Sequence, residues 1–317
     1  MVILLASISD VKRRLPEEFI DYIYEEFSVG TADKMLYSFM GDRYTTLRVN
    51  TLKYDINSLM EYFKRINIKF DRVQWYKDAL IIKNADEKSL EKLDIYKDGY
   101  IYIQSLPSMI PPLVLEPQRG EKILDMTAAP GSKTTQMAAM MNNEGYILAN
   151  ELDKIRCERL KYNVELQGAS IVEVVNGRGE QLGDKYPEEF DRVLLDAPCS
   201  GEGRFNIKDV KTYRFWSPRE VNRLSNLQRK LFFSAYKALK KGGIMAYSTC
   251  TLNRKENEEV LDWALNNLDI EILNIDLKIN GVVEAFTDRY DKSISKAIRV
   301  LPSKELEGFF VCKIKKK

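Results

Sequence analysis

Regular alternation of strand-like and helix-like segments begins near residue 120, and it constrains the fold more than any other feature of the chain. Five short apolar runs, each the length of a buried strand, are separated by segments with helical spacing. These predicted strands cover residues 122–125, 146–150, 171–175, 191–195 and 243–248. Because a parallel strand pair needs a crossover, usually a helix, the alternation predicts an α/β fold with a mostly parallel sheet and helices on both faces.

The segments on either side of this alternation follow other patterns. Residues 1–100 mix short helix-like and strand-like pieces, such as a helix over 16–27, which suggests a small α+β module. Beyond the fifth strand, a helix is predicted from about 254 to 267, and residues 298–300 and 309–314 are typical of an edge hairpin. We therefore predict an N-terminal domain over residues 1–100 and a larger domain over residues 101–317.

Composition excludes several classes of protein. The 49 basic and 47 acidic residues give a net charge of +2, which argues against a strongly basic arm but is compatible with a local basic face for nucleic acid. Apolar stretches fall short of the ~20 residues that span a bilayer. The apolar opening, residues 1–6, is too short for a secretory signal and lacks a basic flank. We expect a cytoplasmic protein with no membrane partner.

The chain contains no histidine and has four cysteines, Cys157, Cys199, Cys250 and Cys312. Without histidine, Ser–His and Cys–His catalysis and most catalytic zinc sites are excluded. The cysteine spacings match no zinc pattern, so we expect no metal. Activation of a thiol must then come from lysine, arginine, backbone dipoles or the substrate.

Two of the cysteines directly follow predicted strands. Cys199 comes after the fourth strand, three residues beyond Asp196, and Cys250 comes after the fifth strand. Strand ends are where α/β enzymes hold reactive groups, so these three side chains can supply a nucleophile, a group that holds a pyrimidine ring and a means of release. The alternatives are a small buried apolar role for Cys250, packing at a tight turn for Cys199 and a backbone-bonded carboxylate for Asp196. Cys157 and Cys312 are interpreted as structural.

The loop over residues 124–134, between the first strand and its helix, is rich in small residues. Small residues let a ligand approach the backbone closely, and the following helix offers free N–H groups. The loop is neither a P-loop nor a G-x-G-x-x-G loop, which disfavours a phosphate site and leaves open a site for a cofactor whose carboxylate Lys133 could meet. Glu151, at the end of the second strand, can accept hydrogen bonds from both ribose hydroxyls, although such a residue alone is more often a surface carboxylate.

Six stretches, in this order and spacing, resemble the RNA (cytosine-5) methyltransferases of the RsmB/NSUN type, also called the NOL1/NOP2/Sun family. They are Leu47-Arg-Val-Asn-Thr-Leu-Lys53, Asp125-Met-Thr-Ala-Ala-Pro-Gly-Ser-Lys-Thr134, Asp196-Ala-Pro-Cys-Ser-Gly-Glu-Gly203, Ser248-Thr-Cys-Thr251, Glu256-Asn-Glu258 and Glu307-Gly-Phe-Phe310. The resemblance implies a class I, Rossmann-like methyltransferase domain with a mostly parallel seven-stranded sheet, which uses S-adenosylmethionine. It also implies a preceding RNA-binding domain similar to an RNA-recognition fold.

The resemblance implies roles for individual residues. Cys250 would add to carbon 6 of cytosine as the nucleophile, Cys199 would help to release the product, and Asp196 would lie between the cofactor and the target base. The residues expected to hold the cofactor are Thr127, Ala128, Ala129, Pro130, Gly131, Ser132, Lys133, Glu151, Arg156, Asn176 and Asp196. At Asn176 the family usually has an aspartate near the adenine amine, so adenine contact through the backbone of a variant loop is the alternative there.

Basic residues interleaved with aromatic ones follow Cys199 and suit a surface that binds phosphates and stacks bases. The expected RNA contacts are Arg204, Lys208 and Lys211 on this loop, with Arg48, Asn50 and Lys53 in the N-terminal domain. The alternative is a loop packed by its own aromatic residues. We expect an RNA partner, either transfer RNA or ribosomal RNA, and a monomeric protein.

Three other functions are alternatives to this interpretation. A DNA cytosine-5 methyltransferase has its nucleophile in Pro-Cys-Gln, whereas Ser200 follows Pro198 and Cys199 here. An amino-methyltransferase would show Asp/Asn-Pro-Pro-Tyr/Phe in place of Asp-Ala-Pro-Cys. A non-catalytic RNA-binding or ribosome-assembly factor on this fold is disfavoured by the intact acid and thiols, and it would bind cofactor without transferring a methyl group.

Overall fold

The structure is a computed structural model, and it describes residues 7–317. The opening stretch used to predict that no secretory signal is present, residues 1–6, lies outside the described residues. Two separate sheets organise the described chain, a small one of four strands and a large one of nine. Within residues 7–317, no helix is long and apolar enough to cross a membrane.

The small sheet belongs to the N-terminal part of the chain. The elements there are α1 (Ile8–Arg14), α2 (Glu17–Glu26), α3 (Val29–Ser38), β1 (Thr45–Val49), α4 (Ile56–Arg65), β2 (Phe70–Arg72), β3 (Ala79–Ile82), α5 (Glu87–Leu90), α6 (Asp94–Lys97) and β4 (Ile101–Ile103). The strands pair antiparallel in the order β2-β3-β1-β4, with the β-α-β-β-α-β connectivity of ferredoxin-like folds. Alternation along β1 buries Leu47 and Val49 against Leu59 and Phe63 of α4.

The large sheet occupies the rest of the chain. Its elements are α7 (Ile110–Leu115), β5 (Lys122–Asp125), α8 (Ser132–Met140), β6 (Tyr146–Glu151), α9 (Lys154–Gln167), β7 (Val172–Asn176), α10 (Leu182–Lys185), β8 (Phe190–Asp196), α11 (Pro218–Ala238), β9 (Leu239–Thr249), α12 (Glu258–Asn267), β10 (Ile270–Leu273), β11 (Val282–Glu284), β12 (Ile298–Val300) and β13 (Phe309–Lys316). The strand order is β11-β12-β13-β9-β8-β5-β6-β7, and β10 also pairs with β13.

This topology confirms the predicted α/β class and the five predicted parallel strands. Strands β7, β6, β5, β8 and β9 are parallel neighbours, and their side chains enter apolar clusters on both faces of the sheet. Two details differ from the sequence predictions. Within the described residues the sheet has nine strands rather than seven, and β13 is interior rather than an edge, because it pairs with β9 on one side and with β10 and β12 on the other.

The division between the two parts of the chain is also more involved than a cut at residue 100. Strand β4 carries the small sheet to Ile103. Helices α1–α3 do not pack on the small sheet; they form an apolar cluster with the loop after β8, where the rings of Phe19 and Phe205 are 4.8 Å apart between centroids. The N-terminal helices therefore stabilise a loop that belongs to the site.

The second face of the small sheet is covered by the large domain. Ala79 and Ile81 of β3 share an apolar cluster with Ile123 of β5. Arg48 of β1 is 1% exposed, and its guanidinium donates to the carbonyl oxygen of Ser132 at the start of α8 (3.1 Å). Because this face is occupied by protein, it is not available to bind RNA as an open sheet.

Candidate active site

A cleft of about 1430 Å³ lies at the carboxyl ends of the parallel strands. Side chains after several neighbouring strands meet there, as expected for an α/β sheet. Among the residues singled out in the sequence, the cleft is lined by Thr127, Ala128, Ala129, Pro130, Ser132, Lys133, Glu151, Arg156, Asp196, Cys199, Arg204 and Cys250. The structure therefore brings the three proposed catalytic residues and most of the proposed cofactor residues to one cavity.

The two strand-end cysteines lie against each other. Strands β8 and β9 are parallel with Asp196 opposite Ser248, so the loops that leave them run side by side. The sulfur atoms of Cys199 and Cys250 are 3.1 Å apart, and the backbone N–H of Cys250 donates to the Cys199 sulfur (3.2 Å). The hydrogen bond from Cys199 holds the pKa of Cys250 below its ordinary value, while the same contact and burial raise the pKa of Cys199. Of the two thiols, Cys250 is thus the one that loses its proton more readily.

Two buried glutamates hold the cysteine loops in place. The Glu202 carboxylate accepts hydrogen bonds from the backbone of Leu252 (3.2 Å) and from the side chain of Trp216 (2.8 Å). The Glu256 carboxylate accepts from the backbone N–H of Ser200 (2.9 Å). Glu202 thereby ties the Cys199 loop to the segment after Cys250, and Glu256 ties the same loop from the other direction. Burial raises the pKa of both carboxyls, that of Glu256 to about 7.

These glutamates were missed as functional residues in the sequence. Both lie inside motifs that carry the family resemblance, Glu202 in the stretch after Asp196 and Glu256 in Glu256-Asn-Glu258. A charged residue within an otherwise small or polar loop was the available signal. It could not be interpreted from the sequence because the backbone partners Ser200 and Leu252 are 56 and 50 residues away along the chain.

Asp196 is held by three groups at the end of β8. Its carboxylate is paired with the ammonium group of Lys133 (2.7 Å) and accepts a hydrogen bond from the Ser248 hydroxyl (2.7 Å). The hydroxyl of Thr127 donates to its backbone carbonyl (2.8 Å). Lys133, predicted to meet a cofactor carboxylate, is thus bound to Asp196 and also donates to the Ser108 hydroxyl (2.7 Å).

The turn after β5, which contains Gly131, positions a second buried acid. Gly131 adopts a φ of 105°, and a Cβ there would lie 3.0 Å from the Leu160 side chain, so the turn requires glycine. Asp125 is buried at the end of β5; the Thr134 hydroxyl donates to its Oδ2 (2.7 Å), while its Oδ1 has no partner among the described residues. Burial raises the pKa of Asp125 to about 7. An unpaired buried acceptor on the cleft wall fits a ligand that carries a donor such as an ammonium group.

The end of β6 supplies the remaining polar groups of the cleft. Glu151 is buried, and its carboxylate accepts a hydrogen bond from the Asp153 backbone (2.9 Å) and lies 3.7 Å from the Arg156 guanidinium. The side-chain amide of Asn176 donates to the backbone carbonyls of Glu151 (2.7 Å) and Leu152 (2.9 Å). Asn176 lines an adjoining cavity of about 520 Å³ rather than the main cleft. Its amide therefore stabilises the turn after β6 from outside the main cleft.

The structure separates the residues predicted to contact RNA. Arg48 and Asn50 are each 1% exposed and lie between the two parts of the chain, so neither is presented to RNA; this corrects the prediction. Asn50 donates to the carbonyl oxygens of Gly99 (2.9 Å) and Gln167 (2.7 Å). Lys53 donates to the carbonyls of Asp98 and Leu166, which joins the same two parts of the chain. The buried polar groups of Arg48 and Asn50 thus find their hydrogen-bond partners across the domain contact instead.

The loop after Cys199 combines both predicted alternatives. Phe205 and Tyr213 are buried in the cluster with helices α1–α3, as a self-packed loop would be. Phe215 is 74% exposed and stacks under Arg214, whose guanidinium carbon is 4.3 Å from the ring centroid. Arg204, Lys208 and Lys211 are exposed, and Lys208 is paired with Asp42 (2.7 Å).

Within residues 7–317, no group of three or more acidic or cysteine side chains is placed to hold a metal ion. The predicted absence of a metal stays a prediction. The polar groups described above surround a cleft large enough for an organic ligand. The chemistry of the cleft is therefore carried by a thiol pair, an acid–lysine pair and buried carboxylates.

Comparison with known proteins identifies relatives that match most of this chain. Residues 112–315 match the family model described as "16S rRNA methyltransferase RsmB/F". The chain is 36% identical to the ribosomal RNA small subunit methyltransferase F of Cronobacter sakazakii, over 95% of this chain and 63% of that protein. It is 39% identical to the tRNA (cytosine(49)-C(5))-methyltransferase of Pyrococcus abyssi, over 86% of this chain and 88% of that protein. This chain thus spans about three fifths of the length of the first relative.

A solved structure shares the fold. The crystal structure of a methyltransferase homologue from Pyrococcus horikoshii superposes with a TM-score of 0.85 at 32% identity, and the match covers 99% of this chain and all of that one. The likeness extends over both sheets, so the arrangement of the N-terminal part on the large domain is shared as well.

Proposed function

This chain belongs to the 16S rRNA methyltransferase RsmB/F family, and from that premise we propose that it transfers a methyl group to carbon 5 of cytosine in RNA. The observation that carries the proposal is the thiol pair: Cys250 and Cys199 lie 3.1 Å apart in the cleft, next to the carboxylate of Asp196. Two thiols at adjacent strand ends suit a reaction that both forms and breaks a bond to the substrate.

We propose S-adenosylmethionine as the methyl donor, and the cleft supports it. The unpaired Oδ1 of buried Asp125 suits the ammonium group of the methionine part, and Glu151, which lines the cleft, would meet the ribose hydroxyls. The turn from Thr127 to Lys133 would surround the methionine end of the cofactor. Gly131 does not line the cleft itself, but its positive φ allows the turn to form. When bound, this cofactor supplies an electrophilic methyl group. Asn176 is proposed to hold the turn after β6 rather than to contact adenine with its amide nitrogen.

Cys250 would act as the nucleophile toward the base. Carbon 5 of cytosine is unreactive, but addition of the Cys250 thiolate to carbon 6 breaks the aromatic system and places electron density on carbon 5. One difficult substitution thereby becomes two easier steps. Cys250 is suited to this step because its pKa is lowered by the hydrogen bond from Cys199.

Asp196 and Cys199 would complete the cycle. The Asp196 carboxylate accepts hydrogen bonds from Ser248 and Lys133, so it is arranged to accept another from the exocyclic amine of cytosine. Once the carbon-5 proton is lost, the ring becomes aromatic again as the bond between carbon 6 and the Cys250 sulfur breaks. Cys199, which contacts that sulfur and holds its proton more tightly than Cys250, would assist this release.

Variants of the cysteines test the proposal. We expect Cys250→Ala to abolish methyl transfer, because the nucleophile is lost. We expect Cys199→Ala to bond to RNA but to release it slowly, which leaves a covalent adduct visible on a denaturing gel. Cys157→Ala is the matched control, since Cys157 is buried in helix α9 away from the cleft lining. Substantial turnover by folded Cys250→Ala protein would refute the nucleophile role, and rapid release by Cys199→Ala with no adduct would refute the release role.

The RNA substrate is proposed as a class only. The two relatives described above are named for ribosomal RNA and for transfer RNA, so both remain candidates. We expect one cytosine to be modified at high yield when the protein is incubated with donor and with small-subunit ribosomal RNA or transfer RNA. Bisulfite sequencing of both RNAs after incubation identifies it. Donor binding without modification of either RNA would favour the non-catalytic alternative. The cytoplasmic location and the monomeric state stay predictions.

A further inference from the structure

We propose that Arg204 supplies a positive charge that favours the ionised form of Cys250, an inference that rests on the nucleophile role proposed above. The chain contains no histidine, so the ordinary imidazole partner of a reactive thiol is not available. The hydrogen bond from Cys199 stabilises a thiolate but adds no charge. A cation beside Cys250 would supply the positive charge that a histidine partner provides in other proteins.

The backbone carries Arg204 to the right place. Residues Glu202–Arg204 form a 3-10 turn just after Cys199, and the N–H of Gly203 donates to the carbonyl oxygen of Cys250 (3.0 Å). The carbonyl of Gly203 accepts from the backbone of Gly308 (2.9 Å) on its other side. A Cβ on Gly203 would lie 1.9 Å from the Gly308 carbonyl oxygen, so the turn is clamped between two segments. Arg204, the next residue, then extends along the cleft wall beside Cys250.

The buried side chain of Glu202 anchors the same turn. The Glu202 side chain is fully buried and accepts hydrogen bonds from Leu252 and Asn253, both within three residues of Cys250. The position of Arg204 relative to Cys250 is thus set by bonds on both sides of the turn. These bonds fix the backbone of Arg204 next to Cys250, and the exposed Arg204 side chain lines the same cleft.

The charges around Cys250 show why a cation is needed. The groups that act on this thiol are Cys199, Asp196, Glu307 and Arg204. The two acids oppose the thiolate, and the ammonium group of Lys133 is already paired with Asp196 (2.7 Å). Arg204 opposes the acids: after the Cys199 hydrogen bond, its charge is the next influence that lowers the pKa of Cys250. Reciprocally, Cys250 is the largest influence that raises the pKa of Arg204.

This role differs from the RNA contact predicted for Arg204 in the sequence. Lys208 and Lys211, on the same loop, do not line the cleft, whereas Arg204 does. A phosphate contact would act only when RNA is present. A thiolate contact acts in the free protein, so the two roles can be separated by a measurement without RNA.

The test is the pH dependence of Cys250 alkylation in the free protein. The Cys250 sulfur displaces iodide from iodoacetamide: a sulfur–carbon bond forms, the carbon–iodine bond breaks and the thiol proton passes to solvent. After tryptic digestion, Cys250 lies in the peptide 242–254, separate from Cys199, so mass spectrometry follows it alone. The full chain is compared with Arg204→Gln, with Arg204→Lys and with Arg219→Gln, an exposed control outside the cleft lining.

We expect Arg204→Gln to raise the midpoint of the alkylation profile by about one pH unit, which is about a tenfold loss of thiolate below the midpoint. Arg204→Lys should recover much of the shift, because the charge is retained, and Arg219→Gln should match the unaltered chain. An unchanged midpoint in Arg204→Gln would overturn the proposal, and loss of methyl transfer together with that result would assign Arg204 to RNA instead. The alkylation assay contains neither RNA nor methyl donor. It therefore still tests the effect of Arg204 on Cys250 if the proposed methyl transfer is disproved.

Discussion

Arg48 of β1 is buried between the small sheet and the start of helix α8. Arg48 was predicted to contact RNA, but its guanidinium donates to the Gln104 side chain (2.9 Å), to the Ser132 carbonyl (3.1 Å) and to the Thr135 hydroxyl (2.7 Å). Ser132 and Thr135 lie in the first turn of α8, directly after the turn proposed to hold the cofactor. We therefore predict that Arg48→Met lowers stability rather than RNA affinity.

The expected loss of stability in Arg48→Met follows from the hydrogen-bond acceptors that lose their donor. Methionine fills most of the vacated volume, so the cavity cost is small, but Gln104 Oε1 and the Ser132 carbonyl oxygen lose the guanidinium. A buried acceptor without its partner costs about 1–3 kcal/mol. Ser132 keeps its own helical bond, and removal of a buried charge offsets part of the loss. We expect the free energy of unfolding to fall by about 2–4 kcal/mol.

Urea unfolding followed by circular dichroism measures this loss. Arg72→Met is the matched control, because Arg72 is an exposed arginine of the same sheet, and its change should stay within about 0.5 kcal/mol. RNA binding is then measured across a salt series beside Lys211→Gln, which removes an exposed charge. A destabilisation of Arg48→Met below about 1 kcal/mol would refute the structural role. A weakened salt dependence like that expected for Lys211→Gln would restore the RNA role.

The remaining predictions concern the cysteine loops. Single-turnover methyl transfer should rise with pH and reach its plateau below the pH of an ordinary thiol, because the pKa of Cys250 is lowered; a plateau only above pH 9 would contradict this. Burial raises the pKa of Glu256 from 4.5 to about 7 in the folded protein, so the folded state binds the extra proton and stability should fall as pH rises through that window. Urea midpoints across this pH range should show the fall, and Glu256→Gln should flatten it. Gly203→Ala should unfold or inactivate the protein, since its Cβ would lie 1.9 Å from a backbone oxygen, whereas Gly41→Ala meets open space and should be silent in thermal unfolding and methylation assays.

Much of the large domain could be predicted because its signals are local. Five apolar runs alternating with helical segments determine parallel strands, and the α/β class follows from that alternation. The same logic located the site, because residues that follow adjacent parallel strands meet at one edge of the sheet. Cys199, Cys250 and Asp196 were identified in this way, and they do line one cleft.

The residues that support the site could not be predicted, because their partners are distant in sequence. Glu256 binds Ser200 across 56 positions and Glu202 binds Leu252 across 50. A glutamate in a loop is usually solvated, so its sequence pattern carries no sign of burial. The same limit applied to the sheet edge: β13 was expected at the edge because its sequence resembles a hairpin strand, yet β10 pairs with it.

The order of residue types along the chain determined the strand–helix alternation, the thiol after each of two strands and the exclusion of histidine chemistry. The tertiary structure alone decided which polar side chains face solvent. Arg48 lies within one of the stretches that carry the family resemblance and Arg204 directly after another, yet Arg48 is buried between two domains and Arg204 lines the cleft that holds Cys250. Alternation along a strand specifies only that a side chain points to one face. Whether that face meets water or another domain depends on contacts made by residues far along the chain.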